Sequence, residues 1–281
     1  MSVYTNTARF DTGRALTIEE MQKLAPSIFS VDKHESRSQK FKPIPTITIL
    51  EGLQKEGFVP VGVKQSNSRD EHKRNFTKHL VRLRRIDDNI KYQVGDTVCE
   101  ILLKNANDGT SAYELMAGLF RIACLNSLVV QKGTLESTKI YHSGNVQDKV
   151  IEGTYKVLEQ AEYALSAPQD WSKIILSNEE KQAYAESAKI IRFGEGELSE
   201  TIRNFKILHP RRTEDKNDDL WTVFNRVQEN VIKGGITFKT TNEETNQTRN
   251  GTTRQIKSID QDIKLNRALW QLTKTMAELK K

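Results

Sequence analysis

The residues best suited to chemistry lie between His72 and Arg85, in the run HKRNFTKHLVRLRR. Successive side chains of a strand point to opposite sides. Read that way, Lys78, Leu80, Arg82 and Arg84 share one face, and His79, Val81 and Leu83 share the other. Three cations then stand about two residues apart, roughly 7 Å by strand rise. That spacing is close to the phosphate repeat of an extended nucleic-acid strand, and phosphate is the common partner of such a stripe. A solvated antiparallel strand with a charged outer face gives the same pattern. Further cations widen the set. Arg69, Lys73 and Arg74 precede the strand, Arg211 and Arg212 begin a charge-dense loop, and Lys239, Arg249, Arg254 and Lys257 belong to a Thr-rich stretch. The residues expected to contact nucleic acid are Arg74, Lys78, Arg82, Arg84, Arg211, Arg212 and Arg254. Phe76, Tyr92 and Tyr113 are placed either to stack bases or to fill a core.

Other chemistry has less support. There is no GxxxxGK[ST] phosphate loop, no HExxH and no GxSxG, and Gly194-Glu195-Gly196 is too short and acidic to cradle phosphate. The five histidines, His34, His72, His79, His142 and His209, are scattered, and His79 falls on the core side of its strand. Cys99 and Cys124 sit in apolar runs without CxxC spacing, which speaks for buried thiols in a reducing compartment and against zinc. Glu214, Asp215, Asp218 and Asp219 form the densest acidic cluster. It has the composition to hold Mg²⁺ for a nuclease, or equally to be a solvated loop whose last acids favour a helix N-terminus. Asn225, Gln228 and Glu229 make a polar stripe suited to an internal hydrogen-bond network or an oligomer contact. No catalytic residue, metal or cofactor is expected.

These residues need elements to hold them. Thr17 opens a helix with Glu20 at capping-box spacing, and Met21, Leu24 and Ile28 form its stripe. A second helix, which Thr46 is placed to cap, packs Ile49, Leu50 and Leu53 and stops at Gly57. Strands are expected over Phe58–Gln65, Phe76–Arg85 and Thr97–Lys104, joined as an antiparallel meander whose odd-numbered residues face the core. Another strand is expected near Tyr113–Ala117, an apolar element of either type near Leu119–Leu128, and a strand over Thr134–His142. From Val146 the pattern turns helical, with Gly194 and Gly234-Gly235 as stops. A hairpin is expected to pair Thr237–Thr241 with Thr252–Ile256 about an Asn250-Gly251 turn, and a helix follows from about Asp260. The fold class is α+β: an antiparallel β-meander with packed helices and a helical C-terminal lobe. The expected parts are an arm and helix over 1–40, a β-rich core over 41–145, and a helical lobe over 146–281 with the basic hairpin near 236–257, integrated as one domain.

Composition bounds the partners. The 281 residues carry 43 Lys and Arg against 37 Asp and Glu, a formal charge of +6, and hydrophobic residues make up 36%. The excess favours an acidic partner. No apolar run approaches the roughly 20 residues needed to span a bilayer, and the N-terminus MSVYTNTARFDTGR lacks a signal core. A cytoplasmic protein without membrane contact is expected.

Several segments together resemble a known family. PTITILEGLQKEGFVPVGVKQSNSRDEHKRNFTKHLVRLR, MAGLFRIACLNSLVV, YHSGN, IEGTYKVLE, DLWTVFNRVQENVIKGG and IDQDIKLNRALW are similar, in order, to the phage/plasmid-like family catalogued as domain of unknown function 932. The resemblance implies a gene of a phage, prophage or conjugative plasmid in a bacterial host. That setting, a basic sheet face and a β-β-β-helix order are in turn similar to the Erf and Sak types of phage single-strand annealing protein, a likeness of fold only. It implies a non-enzymatic protein that binds and anneals single-stranded DNA in recombination, assembled as a homo-oligomer. The alternatives are an interaction protein that inhibits a host defence system through a host protein partner, and a metal-dependent nuclease. Under the leading expectation, replacing Lys78, Arg82 and Arg84 together removes binding without unfolding the chain.

Overall fold

Alternation from Phe58 onward does build an antiparallel sheet. The computed structural model describes residues 15–32, 34–35, 44–85, 96–121, 127–130, 138–141, 145–241 and 247–280. The fold is α+β, and the chain divides into two compact units, Met1–Leu165 and Ser166–Lys281. Of the expected features, residues 1–14 of the arm, Tyr92, Cys124, His142 and the side chain of Arg121 lie outside the described residues.

In the first unit, α1 (Ile18–Leu24) carries the expected Thr17/Glu20 capping box. The next helix, α2 (Thr46–Lys55), begins at Pro45 rather than with a side-chain cap, and the Thr46 hydroxyl turns inward instead. The sheet runs β1 (Phe58–Gln65), β2 (His79–Arg85), β3 (Thr97–Asn105), β4 (Tyr113–Arg121), with β5 (Ser127–Val130) and β6 (Thr138–Ile140) both pairing with β4. The run that precedes His79 is not strand, because Glu71–Phe76 forms a 3₁₀ turn capped by Asp70. Of the apolar stretch expected near Leu119–Leu128, the described residues lie in β4, which ends at Arg121, and in β5, and residues 122–126 lie outside the described residues.

Register carries the core. Val63 lies opposite Val81, Val81 opposite Leu103, and Leu103 opposite Leu115, so the odd-numbered residues of β2, β3 and β4 share one face with Val63. A bulge between Pro60 and Gly62 reverses the parity before it, setting Pro60 opposite Leu83 and Val59 opposite Arg84. Even-numbered Phe58 is thereby placed in the core, contrary to the odd-numbered expectation for that end of β1. Ile49, Leu50 and Leu53 of α2 cover that face together with Val146, Val150 and Val157 of α3 (Val146–Leu165). Because α3 packs on β3, β4 and α2, the division between units falls after Leu165, about one helix beyond the composition shift at residue 146.

The second unit is helical: α4 (Ala167–Trp171), α5 (Asn178–Phe193), α6 (Glu197–Thr201), α7 (Asn204–Ile207), α8 (Leu220–Lys233), the hairpin β7 (Thr237–Thr241) with β8 (Thr248–Thr252), and α9 (Ile259–Leu279). All three tryptophans meet here. Trp171 lies 4.5 Å from Trp270 and 6.1 Å from Trp221 between ring centroids, with Phe224 wedged beside them. At the centre, α8 is buried from Leu220 to Ile232 except at Thr222. A helix without a solvent face must satisfy its polar side chains internally, and most of this one's are satisfied, with Arg226 Nε an exception among the described residues. Gln228 donates to Asn266 at 2.6 Å, Asn225 donates to the Trp221 carbonyl, and Asn230 donates to the carbonyls of Ile207 and His209. The polar stripe seen in the sequence is this network. Among the described residues, no helix is long and apolar enough to cross a membrane.

Candidate nucleic-acid interface

Four of the expected cations come from the opening stretch, and the structure separates them. Arg74 is exposed on the 3₁₀ turn, with its carbonyl accepting from Gln65 Nε2 at 2.6 Å. Lys78 precedes β2 and is half-buried. Arg82 and Arg84 are not a solvent-facing stripe; they are 8% and 3% exposed. Both grip Glu100 on β3, itself 1% exposed. Arg82 Nε donates to Oε2 at 2.7 Å and Nη2 to Oε1 at 3.1 Å, while Arg84 Nη2 donates to Oε1 at 2.5 Å. The Arg82 guanidinium also lies over the Phe120 ring, 3.6 Å from its centroid. The direction read from parity is right, since these residues do oppose the core face carrying Val81 and Leu83. The error is that this second face is buried as well, with Leu80, Val98, Leu102, Met116 and Phe120 on it. Such a pair of guanidiniums is a structural ion cluster and offers nothing to a phosphate.

His79 is a satisfied core histidine. Its Nδ1 meets Ser27 Oγ at 2.9 Å and its Nε2 meets Thr46 Oγ1 at 2.8 Å. Burial pulls its pKa down to about 4. Phe76 is half-buried and packs edge-on to His34, and Tyr113 is buried with its hydroxyl donating to the Ile44 carbonyl at 2.7 Å, so Tyr113 presents no ring for stacking. Cys99 neighbours Glu100, and burial pushes its thiol up to about 12, with that carboxylate adding to the effect. At about pH 8 such a thiol is almost wholly protonated. Iodoacetamide should therefore leave Cys99 largely unmodified in the native protein and alkylate it after denaturation, as read by peptide mass.

The cations of the second unit divide in the same way. Arg211 donates from Nε to Asn230 Oδ1 at 2.7 Å and from Nη2 to the Gly234 carbonyl. Arg192 donates to the Val231 carbonyl at 3.0 Å. Two cations thus hold the carboxyl end of α8, where the helix dipole favours them. Gly234 ends the helix at φ 67°, and a Cβ there would stand 2.6 Å from the Thr253 carbonyl oxygen. Arg212 pairs with buried Glu229 and with Asp215 at 3.2 Å. Arg212 therefore serves the fold of this unit, contrary to expectation, and Arg211 holds the end of α8 while remaining exposed. Arg254 differs: its side chain is exposed, and its carbonyl accepts from Arg192.

Three acids of the expected cluster take structural roles, and Glu214 is exposed. Asp215 pairs with Arg212, and Asp219 caps α8 by accepting from the Thr222 amide at 2.9 Å. Asp218 binds Lys181 at 2.6 Å and Arg226 at 3.1 Å, and those cations hold its carboxyl below the usual range. Among the described residues, no group of three or more His, Cys, Asp or Glu is placed to hold a metal.

What remains is a cleft that the sequence reading missed, lined by α5, α6, α7 and the hairpin, with a volume of about 1010 Å³. The hairpin is shorter in register than expected. Thr237 pairs with Thr252 and Phe238 with Gly251, so Asn250-Gly251 lies within β8 and is not the turn. Gly251 lets the Phe238 ring lie across it, because a Cβ there would stand 2.4 Å from Phe238 Cζ and push the ring aside. Lys206 Nζ donates to the carbonyl and the hydroxyl of Thr237, each at 2.6 Å, and so ties α7 to β7. Arg203, Phe205 and Lys239 are exposed on the lining, and Arg249, Arg254 and Lys257 are exposed on or after β8. No local spacing in the sequence singles out this site, since the Phe-Lys pair at 205–206 and 238–239 also occurs at 41–42.

A family model described as "Domain of unknown function (DUF932)" matches residues 33–270. The chain is 42% identical over 264 residues to the UPF0380 protein YfjQ of Escherichia coli (strain K12), which spans 94% of this chain and 92% of that protein. It is 41% identical, with the same coverage, to the UPF0380 protein YafZ of the same strain. No solved structure matches it.

Proposed function

Because the chain belongs to the DUF932 family, whose description assigns no activity, we propose from the chemistry of its surface that it binds and anneals single-stranded DNA without being an enzyme. The setting is recombination in a phage, prophage or plasmid, as the family resemblance implies. The observation that carries this reading is the set of exposed cations on α7, the hairpin and the segment after it. Arg203, Lys239, Arg249, Arg254 and Lys257 have no ion-pair partner among the described residues, whereas Arg82, Arg84 and Arg212 are bound to carboxylates. Cations left to solvent are the ones that neutralise phosphate and release counterions.

Annealing makes and breaks no covalent bond. It requires that the repulsion between two strands be neutralised while their bases stay able to meet. Assembly as a homo-oligomer repeats the cationic surface along a strand. The likeness to annealing proteins loses its support from a basic sheet face, since that face is buried, and the DNA-binding reading rests on the exposed cations of the second unit. Arg74 keeps its place among the candidate contacts by exposure alone.

The test is fluorescence anisotropy with labelled single-stranded and duplex DNA between about 50 and 200 mM salt. Affinity for the single strand should exceed that for duplex and fall steeply with salt. The triple variant Arg249→Gln, Arg254→Gln, Lys257→Gln should weaken binding and flatten the logarithmic salt slope by about 0.7 for each phosphate left without its cation. A salt-independent affinity, or none, sinks the proposal.

A further inference from the structure

The cleft repeats one dipeptide on two walls. Phe205-Lys206 comes from α7 and Phe238-Lys239 from β7, thirty-odd residues later, and all four residues line the same space. Phe205 is 60% exposed, on a one-turn helix that gains nothing in packing from an exposed ring. Phe238 is half-buried, and its ring lies across Gly251, so close that a Cβ there would have to displace it. One ring is thus exposed and the other lies along the wall. The volume of about 1010 Å³ has room for more than one nucleotide. Gln182, Asn204 and Asn250 add amides to the lining, which hydrogen-bond to any base without demanding one. The carboxylate Glu186 in the same lining is engaged by Lys189 at 2.7 Å, and exposed Glu200 is outnumbered by Arg203, Lys206 and Lys239.

We infer that this cleft seats unstacked bases of a single strand, with Phe205 and Phe238 as stacking faces and with Arg203 and Lys239 at the phosphates. Lys206 is a positioning residue, because it spans from α7 to β7 and sets the distance between the walls. The inference rests on the proposed single-strand binding and adds that the affinity is carried by base faces as well as backbone charge. Every base has a π-face, so the site tolerates any sequence. Bases inside a duplex are covered by their neighbours and cannot enter.

The experiment compares a labelled mixed-sequence strand with an abasic strand of the same length, using the full chain. The base-bearing strand should bind about tenfold or more tightly than the abasic one. Phe205→Ala should remove about tenfold from the affinity for the base-bearing strand and leave the abasic strand unchanged. Phe238→Leu should act in the same direction, and circular dichroism should confirm that both variants fold. Equal wild-type affinity for the two strands overturns the inference while leaving single-strand binding intact. An equal loss on both strands from Phe205→Ala, whose side chain is outside the core, also overturns it. Failure of the wild type to bind either strand overturns the proposed function itself.

Discussion

Replacing Glu100 with alanine should destabilise the protein by about 3–5 kcal/mol, because it leaves two buried guanidiniums without the carboxylate they share. Arg82 and Arg84 lie 8% and 3% exposed, with four hydrogen bonds converging on that one side chain. A guanidinium does not lose its proton, so neither arginine has a neutral form in which to escape the penalty. The measurement is urea unfolding followed by far-UV circular dichroism. Tryptophan emission serves as an internal reference, since Trp171, Trp221 and Trp270 all belong to the second unit. Arg82→Ala with Arg84→Ala should unfold the first unit in the same way. That outcome is the reverse of a charge stripe that can be erased without structural consequence. A loss below about 1 kcal/mol, the range of exposed pairs, would mean that the cluster is solvated.

The second large effect depends on pH. His79 has its pKa pulled from 6.5 to about 4 by burial, while Ser27 and Thr46 satisfy both ring nitrogens. The folded state therefore binds the proton less readily than the unfolded chain. The stability linked to this group is fully present above the unfolded pKa and is lost as pH falls through the folded one. Between about pH 6.5 and 4 the slope is roughly 1.4 kcal/mol per pH unit, or about 3 kcal/mol in all. Urea midpoints at about pH 7 and about pH 4.5 should differ by correspondingly less in His79→Gln than in the wild type. Parallel pH profiles for the two proteins would show that His79 titrates normally.

Most of the architecture was legible because it rests on periodicity. The capping box at Thr17, the strand at Phe58–Gln65 and the odd-numbered core face of β2 and β3 each follow from spacing that tertiary contacts merely reinforce. The bulge between Pro60 and Gly62, which turns even-numbered Phe58 into the core, breaks the alternation in β1. The site was less legible, for a reason that can be named. Alternation tells which residues share a face but not whether that face meets water. The information was in the strands nonetheless, because Leu80, Leu102, Met116 and Phe120 share parity with Arg82 and Arg84. A sheet solvated on one side does not place large apolar residues throughout its outer face, and near-continuous apolar runs signal cover on both sides. Glu100 on that same face was the remaining clue, an anion set among apolar residues beside two cations. Arg211 and Arg212 misled for a different reason. Both serve α8 across about twenty residues of chain, and no local spacing announces a contact of that kind.

That central helix has a kinetic consequence. An ordinary surface helix exchanges its amide hydrogens through fraying and local openings that leave the rest of a domain folded. With its flanks buried and its end carbonyls held by Arg192 and Arg211, α8 has no route to solvent short of opening the elements around it. Its amides from Val223 to Asn230 should be the slowest to take up deuterium in the second unit, and should do so together. Their common rate would report the global opening of that unit, with the hairpin and α7 exchanging orders of magnitude sooner.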